Sequence, residues 1–415
     1  MRRRILAVLS ALIVAVGGIW IASAAAQTDV QPPLGTWCPI PTGAVAGQAV
    51  TCKVVADPDW TPPTQTTTVT PTTTVAPTTT TETTTVSPTT TTTAVTTTTQ
   101  PPNPEPPALM GWQLTSTNVG LAPHGLTCAG LQPYLGPAKP AANTVISGKR
   151  IETGLDLSAG GVVVEKSCIK PKPGTQQAQG SMATTMFCHE YCETGLPTGT
   201  RATIRDSEID GSSLTNSAVA KACAFDGIAD LMRNYMHDVG SGICIRTTDR
   251  NAKAGSWSAN LSTSAVVSTN YVTRLRHYGD AHHDGGTVRD FRKDSTNSRT
   301  LVFVNNRFDS QPINTTDWQT AAFFVQPTYS GYSINNVWLD GNLFEGRAYN
   351  LVLEQSSGGY SNVHSTNNRF RQPANCGGGC YGYSAVTGGP GWSEWTGNYQ
   401  YSATAANNAG AVVSP

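Results

Sequence analysis

An excess of charge of either sign is absent from this 415-residue chain, in which Lys plus Arg and Asp plus Glu each number 27. Without a global basic field, nothing directs the chain toward nucleic acid. Charged residues make up only 13% of the sequence. A sustained 3.6-residue apolar period is also missing after residue 108, so the sequence predicts almost no helix in that region.

Turn-forming residues and short echoes dominate instead. The chain has 40 glycines and many Asn, Ser and Thr residues, a composition that favours turn-rich β structure. Residues 305–308 read Asn-Asn-Arg-Phe, residues 341–344 Gly-Asn-Leu-Phe, and residues 367–370 Asn-Asn-Arg-Phe. Recurrence at about 20–50 residues is typical of a solenoid, whose coils must stack because none can bury its inner face alone.

The N-terminus carries an export signal. Three arginines follow Met1, residues 5–21 are almost wholly apolar, and three alanines precede Gln27. This arrangement predicts a signal peptide over residues 1–26. A permanent anchor is the alternative, because about 20 apolar residues can span a bilayer. In both cases the protein is secreted or held at the cell surface, and an uncleaved N-terminus is its only predicted membrane contact.

Three further regions follow the signal. Residues 27–60 form a short Cys-containing segment, too small for a core of its own. Residues 61–107 are almost entirely Thr, Pro, Val and Ala, which predicts a disordered linker of the kind that is often O-glycosylated. Residues 108–415 are predicted to be one folded β domain.

The cysteines agree with export. Ten cysteines in an exported chain indicate disulfides. A metal site is the alternative at Cys188 and Cys192, because His189 lies between them, but no second ligand pair at zinc spacing is present. Three close pairs and four further residues, whose pairing is open, make up the set: Cys38/Cys52, Cys188/Cys192, Cys376/Cys380, and Cys128, Cys168, Cys223 and Cys244.

Strand–turn–strand patterns recur at residues 145–151, 162–169 and 202–211. With the three echoes and the His-His-Asp-Gly of residues 282–285, they make residues 123–399 resemble the right-handed parallel β-helix proteins of the pectate-lyase-like superfamily, secreted by bacteria. The resemblance implies an all-β right-handed parallel β-helix (β-solenoid). We expect coils of about 22–30 residues, with inserts at 170–200 and 245–265.

Polar residues are densest between residues 274 and 294. Clustered titratable groups are typical of functional sites, although Asp-Gly is also an ordinary turn dipeptide. In one coil, these groups could remove a proton beside a uronate or hydrolyse a glycosidic bond, and the carboxylates could bind Ca²⁺. The candidate catalytic residues are Arg276, Asp280, His282, His283, Asp284 and Arg289.

The resemblance implies an exported protein that acts on or binds a polysaccharide or surface glycan, as a lyase or hydrolase if it is catalytic. The alternative is a non-catalytic adhesin or partner-binding solenoid. The signature residues of polygalacturonase-like hydrolases and of pectate lyases are missing from the sequence. The Asn and Phe residues of the echoes are interpreted as a stacked core. Residues 392–401, rich in Trp and Tyr, are interpreted as a C-terminal cap or, alternatively, as a sugar-binding surface.

Overall fold

The computed structural model describes residues 109–415 except 178–179, 186–200, 221, 247–263, 280, 292–299, 312–320, 328–332, 357 and 374–379. These residues form stacked coils of parallel strands in three long sheets, which confirms the predicted parallel β-helix. A right-handed coil is the sense that parallel crossover connections adopt in nearly all proteins.

Each coil contributes one strand to each sheet in turn. Sheet 1 has nine strands, sheet 2 has eleven and sheet 3 has eight. Sheet 1 contains β2 (Val145–Ser147), β5 (Val163–Glu165), β8 (Ala202–Arg205), β11 (Ala229–Met232), β14 (Ala265–Ser268), β17 (Leu301–Val304), β20 (Ser333–Asp340), β23 (Gly359–Thr366) and β26 (Glu394–Thr396).

Sheet 2 follows sheet 1 around every coil. It contains β1 (Gln132–Pro133), β3 (Lys149–Ile151), β6 (Cys168–Ile169), β9 (Glu208–Asp210), β12 (Tyr235–His237), β15 (Tyr271–Thr273), β18 (Arg307–Asp309), β21 (Leu343–Glu345), β24 (Arg369–Arg371), β27 (Tyr399–Tyr401) and β28 (Ala409–Val412).

Sheet 3 completes each coil. It contains β4 (Leu155–Asp156), β7 (Ala183–Thr184), β10 (Cys223–Gly227), β13 (Ser241–Ile245), β16 (Gly286–Val288), β19 (Ala321–Val325), β22 (Tyr349–Glu354) and β25 (Gly382–Thr387). Within the described residues the coils therefore number nine, from β2 to β27.

Helix is scarce, as the missing 3.6-residue period predicts. The described residues contain one α-helix, α1 (Asn216–Val219). Short 3₁₀ turns occur at Gly111–Gln113, Ala122–His124, Cys128–Gly130 and Ala406–Asn408. A helix with the length and apolarity to span a bilayer is not found in this part of the chain.

The corner between sheets 1 and 2 is built in the same way in successive coils. One residue in the left-handed region, such as Asn305 at φ 56°, turns the chain between the two strands. This bend lets Ile204 and Ile209 both point inward, and both are fully buried. The left-handed residues of successive coils are Lys166, Asp206, Arg233, Thr269, Asn305, Gly341, Asn367 and Gly397.

A ladder of buried Asn side chains directly follows this bend. The Oδ1 atom of Asn306 accepts hydrogen bonds from the backbone N–H and the side-chain amide of Asn270, at 3.0 and 2.9 Å. Asn306 in turn donates its side-chain amide to Asn342. The expected structural role of Asn306, Asn342 and Asn368 is therefore confirmed, in a longer ladder that comprises Ser167, Ser207, Asn234, Asn270, Asn306, Asn342, Asn368 and Asn398.

Aromatic rings fill the core of the later coils, as the echoes predict. Phe308 and Phe344 stack with ring centres 5.7 Å apart, and Phe344 and Phe370 lie 5.6 Å apart. Phe303 and Phe323 meet this stack edge to face. All five rings are fully buried.

The coils vary in length more than the predicted 22–30 residues. Three consecutive ladder steps, from Asn234 to Asn342, each span 36 residues, and the next two span 26 and 30. The step from Ser167 to Ser207 spans 40 residues. The insert expected at 170–200 lies in that step, and the one at 245–265 lies in the first 36-residue step. Two more long connections, after β15 and after β18, were not predicted.

Residues 109–121 run along the outside of the helix before the coils begin, and we call them the strap. Gly111 N–H donates to Gly341 O in the seventh coil at 3.0 Å, and Gly120 N–H donates to Arg233 O in the fourth at 2.8 Å. The strap therefore runs against the direction of coil growth, along the edge of sheet 2. Its buried Leu114 and Val119 pack beside Tyr271.

The last coil is covered, as the cap interpretation predicts. Trp395 stacks on Phe370 with ring centres 5.8 Å apart, and its indole N–H donates to Val413 O at 2.8 Å. Trp392 also packs against the core. Strand β28 pairs antiparallel with β27, which ends the parallel stacking on sheet 2.

Disulfides join cysteines whose pairing the sequence left open. Cys128 is bonded to Cys168, and Cys223 to Cys244. Cys380 is disulfide-bonded as well. The segments with Cys38, Cys52, Cys188, Cys192 and Cys376 lie outside the described residues, so the alternative metal site at residues 188–192 stays open.

Loss of one ladder residue should destabilise the helix. We expect Asn306→Ala to lower the free energy of unfolding by about 3 kcal/mol, because it leaves the buried Asn270 N–H and Val267 carbonyl without their partners. Urea unfolding followed by circular dichroism measures the change. The neighbouring Asn305→Gly is the control, since glycine adopts a positive φ without strain, and equal losses in both variants would contradict the assigned role of the ladder.

Candidate functional site

One column of outward side chains on sheet 2 consists mostly of ionisable residues. In most strands of sheet 2 the second residue points into the core, as the buried Ile209, Met236 and Phe308 show, and the residue after it points outward. The strand register aligns these outward residues one coil above another. We call this column the site row: Lys170, Asp210, His237, Thr273, Asp309, Glu345, Arg371 and Tyr401.

The centre of the site row is a carboxylate held by two guanidinium groups. Glu345 is fully buried. Its Oε2 lies 2.5 Å from Arg307 Nε, and its Oε1 pairs with Arg371. Glu345 therefore forms ion pairs with cations from the coil before it and the coil after it.

Asp309 lies on the strand beside Glu345 and behaves differently. Burial raises the pKa of its carboxyl group above the ordinary value, against the opposing effects of the Gln311 N–H and the Arg307 charge. Thr273 donates its hydroxyl to Asp309 Oδ2 at 3.2 Å. Asp309 and Glu345 are therefore neighbouring carboxyl groups in different surroundings: the pKa of Asp309 is raised by burial, whereas Glu345 is paired with two arginines.

Aromatic rings support the two arginines. The Arg307 guanidinium lies 4.6 Å from the centre of the Tyr271 ring, and that of Arg371 lies 5.2 Å from the Tyr401 ring. Such cation–π contacts orient a guanidinium without neutralising it. Tyr271 and Tyr401 thus fix the positions of the two arginines that pair with Glu345.

A second cluster lies further toward the N-terminal end of the same row. His237 is hydrogen-bonded through Nδ1 to Asp238 Oδ2 at 2.7 Å and through Nε2 to Glu208 Oε1 at 3.1 Å. Burial alone would lower the pKa of His237, but these two bonds outweigh it and raise the pKa to about 9. His237 is therefore an imidazolium at neutral pH, stacked 4.4 Å from the Tyr235 ring.

Three groups of this cluster are placed so that they could hold a metal ion. The ligand atoms of Glu208, Asp210 and His237 all lie within 4.8 Å of one another. Lys170 already contacts Asp210 at 2.5 Å, and Ca²⁺ takes six to eight oxygen ligands. Two carboxylates and one imidazole are a poor match for the Ca²⁺ that the sequence suggested, and they form the only such group among the described residues.

The residues that the sequence singled out occupy a different part of the molecule, around the turn into sheet 3. Arg276 donates to the carbonyl groups of Gly211 and Leu214 and to the side chain of Asn216, so it holds a loop. His282 is exposed, and Asp280 lies outside the described residues.

His283, Asp284 and Arg289 are brought closer together. His283 is buried, and its Nδ1 lies 3.1 Å from the Gly240 carbonyl oxygen, while its ring meets that of His277 edge to face at 4.8 Å. Arg289 Nη2 lies 3.4 Å from Asp284 Oδ2. Burial raises the pKa of Asp284 to about 6, against the charge of Arg289. Of the six candidates, these three flank β16: His283 and Asp284 are buried just before it, and the half-buried Arg289 directly follows it.

A longer repeat in the sequence could have revealed the site row. Each ladder residue is followed by one variable residue, one core residue and then a site-row residue, so the echo extends well beyond its three conspicuous copies. Read at that last position, eight coils give mostly ionisable residues: SCIK ends at Lys170, SEID at Asp210, NYMH at His237, NYVT at Thr273, NRFD at Asp309, NLFE at Glu345, NRFR at Arg371 and NYQY at Tyr401.

Comparison with known proteins adds no assignment. No protein-family model, no curated protein and no solved structure matches this chain. The function must therefore be argued from the site itself.

Stability should depend on pH through His237. Its pKa in the folded protein, about 9, exceeds the ordinary value of 6.5, so its stabilising effect is complete below about pH 6.5 and is lost as the pH rises through 9. We expect a loss on the order of 3 kcal/mol across that window, measured by urea unfolding at a series of pH values. His237→Gln should flatten this part of the profile, and an unchanged slope in that variant would assign the dependence to other groups.

Asp284 should also make stability fall as the pH rises, but in a more acidic window. Its pKa in the folded protein, about 6, is raised above the ordinary 3.8, so the ionised group destabilises the fold above pH 6 and this cost disappears below about pH 4. We expect Asp284→Asn to be more stable than the wild type at pH 7.5, with a difference that shrinks toward pH 4 in thermal melts. A melting temperature lowered equally at both pH values would show instead that the Asp284 carboxylate is a required turn contact.

Proposed function

We propose that this protein is a secreted, pectate-lyase-like β-helix that binds an extended polysaccharide along the outer face of sheet 2 and cleaves it. The observation that carries the proposal is the pair of carboxyl groups, Asp309 and Glu345, on adjacent strands of that face. Side chains on neighbouring strands lie about 4.8 Å apart, close to the 5–5.5 Å separation of the two carboxyl groups in retaining glycoside hydrolases.

Asp309 is the general acid in this proposal. A carboxyl group whose pKa is raised by burial keeps a proton that it can deliver to the oxygen of a glycosidic bond. Glu345 is the ionised partner. It is fully buried between two arginines, so it must lose one of them to reach a substrate. Arg371 is the one that can move, since its side chain is 36% exposed against 16% for Arg307.

Binding along sheet 2 follows from its shape and side chains. The site row runs along the helix axis through eight coils, which suits a chain-like ligand better than a compact one. Tyr401 presents its ring beside the central charges, and amphipathic rings are suited to contact with sugars. His237, with its buried partners, supplies fixed charge at the other end of the row.

An extracellular location is consistent with the covalent structure. The two described disulfides, together with the disulfide-bonded Cys380, are the kind of bond that persists in oxidising compartments. The predicted signal peptide and Thr/Pro-rich linker agree with this location, and the linker would hold the β-helix away from a surface.

The activity test uses a panel of polysaccharides with two readouts, new reducing ends and ultraviolet absorption by unsaturated ends. We expect new reducing ends without absorption, and we expect Asp309→Asn to lower the rate about 10²–10⁴-fold while the melting temperature stays near that of the wild type. Asp284→Asn is the comparison, because it changes a buried acid whose pKa is also raised by burial but which lies outside the site row.

The other outcomes separate the alternatives. Unsaturated ends would identify a lyase. Binding without either product, abolished by Tyr401→Ala, would identify an adhesin-like protein. Activity that survives Asp309→Asn but is lost in Asp284→Asn would move the site to the residues around His283.

A further inference from the structure

The strap contacts the central charges of the site row through its backbone. The carbonyl oxygen of Leu114 accepts a hydrogen bond from Arg307 Nη1 at 2.7 Å. The same guanidinium donates from Nε to Glu345 at 2.5 Å. Arg307 thus bridges the strap, which precedes every coil, and the carboxylate pair on β18 and β21.

The position of that carbonyl is fixed by close packing on both sides. Gly111 lies so near the sheet that a methyl group on it would stand 2.2 Å from Asn306 O and 2.6 Å from Leu343 N. Leu114 itself is fully buried. Because Asn306 belongs to the ladder, the strap is seated directly on the most regular part of the fold.

A second contact holds the strap at its other side. The Trp112 ring lies 4.4 Å from the Arg369 guanidinium, which is also 5.1 Å from the Tyr399 ring. Arg369 is nearly buried and donates to the carbonyl of Asn407 in the cap. The strap is therefore joined to the C-terminal cap as well as to sheet 2.

We propose that the strap is a positioning element of the site, which holds Arg307 so that it pairs with Glu345 beside Asp309. This inference rests on the proposed function for its consequence in catalysis, but the structural relation itself does not. Arg307 is held by the Leu114 carbonyl on one side and by the Tyr271 ring beneath it. Leu114 and Tyr271 both belong to the apolar cluster between the strap and sheet 2. A displaced strap would remove the hydrogen bond from Arg307 to the Leu114 carbonyl and leave Arg307 with only Glu345 and the Tyr271 ring as partners.

The protonation of Asp309 reports on this relation. The charge of Arg307 is one of the effects that lower the pKa of Asp309 against burial. Displacement of Arg307 toward solvent would weaken that effect, because water screens an exposed charge, and the pKa of Asp309 would rise further. The titratable and charged groups in and around this part of the sheet are Tyr271, Arg307, Glu345, Arg371 and Tyr401.

Gly111→Ala is the direct test. In protein labelled with ¹³C at aspartate carboxyl groups, the Asp309 signal is identified by its absence in Asp309→Asn, and its shift is followed against pH by NMR. We expect a higher pKa for Asp309 in Gly111→Ala than in the wild type. Gly359→Ala is the control, because Gly359, like Gly111, is not held at a positive φ but has no atom within 4 Å of an added methyl group, and it should leave the titration unchanged.

Trp112→Ala covers the case in which Gly111→Ala does not fold, since it removes the contact with Arg369 and leaves the backbone packing intact. If Gly111→Ala folds, its titration decides: a higher Asp309 pKa supports the proposal, and a titration that matches the wild type overturns it and makes the strap a structural cover alone. If Gly111→Ala does not fold, the same two outcomes are read from Trp112→Ala.

The NMR titration requires no glycan, so it is independent of the proposed function. A shifted Asp309 titration without cleavage of any polysaccharide would support the strap and refute the hydrolase. If the protein cleaves a polysaccharide, the pKa of the general acid, read from the pH dependence of kcat, should also be higher in Gly111→Ala than in the wild type. A change in KM alone would count against a positioning role.

Discussion

The hydrogen-bonded ladder of Asn side chains is the constraint on which the rest of the structure depends. Each ladder amide accepts from the coil below and donates to the coil above, so the corner after sheet 1 repeats with the same geometry regardless of the length of the connections elsewhere. A fixed corner fixes the register of sheet 2. That register places one core residue inside and one site-row residue outside in every coil, so the ladder determines both the hydrophobic core and the alignment of the charged groups.

Tolerance of long connections follows from the same arrangement. Coils of 26, 30, 36 and 40 residues share one corner because extra residues enter away from the ladder. Lengthening a loop costs little free energy once its ends are held. The sheet 2 face can therefore stay regular while the loops around it vary, which suits the binding surface that we propose on sheet 2.

The charges on sheet 2 are supported by groups distant in sequence. The Glu345 pair needs Arg307 from the preceding coil and Arg371 from the following one, and Arg307 in turn contacts Leu114, 193 residues earlier. Buried ion pairs of this kind contribute little net stability, because desolvation offsets most of their attraction. Their retention at the centre of one face fits a role in ligand binding or catalysis better than a role in holding the fold together.

The sequence by itself determined the architecture. The spacing of the Asn-Arg-Phe echoes, the missing helical period and the bend between Ile204 and Ile209 sufficed to predict stacked parallel strands, because solenoid coils are local units whose pattern is written in each repeat. The stacked roles of Asn306 and Phe308 followed from the same repeat. The disulfide partners and the lengths of the later coils did not, since neither is fixed by any local pattern.

Only the tertiary structure decided which polar residues meet. Histidines and carboxylates that are dense in sequence, around His283, lie at the turn into sheet 3, whereas the site row draws one residue from each of eight coils. Stacking brings residues 36 positions apart to within one strand spacing, and contiguous residues on a strand point to opposite sides. In this fold, a cluster of polar residues along the sequence is therefore a weak guide to which polar residues are close in space. The strap does not belong to the repeat, so only its contacts in the structure show where it lies.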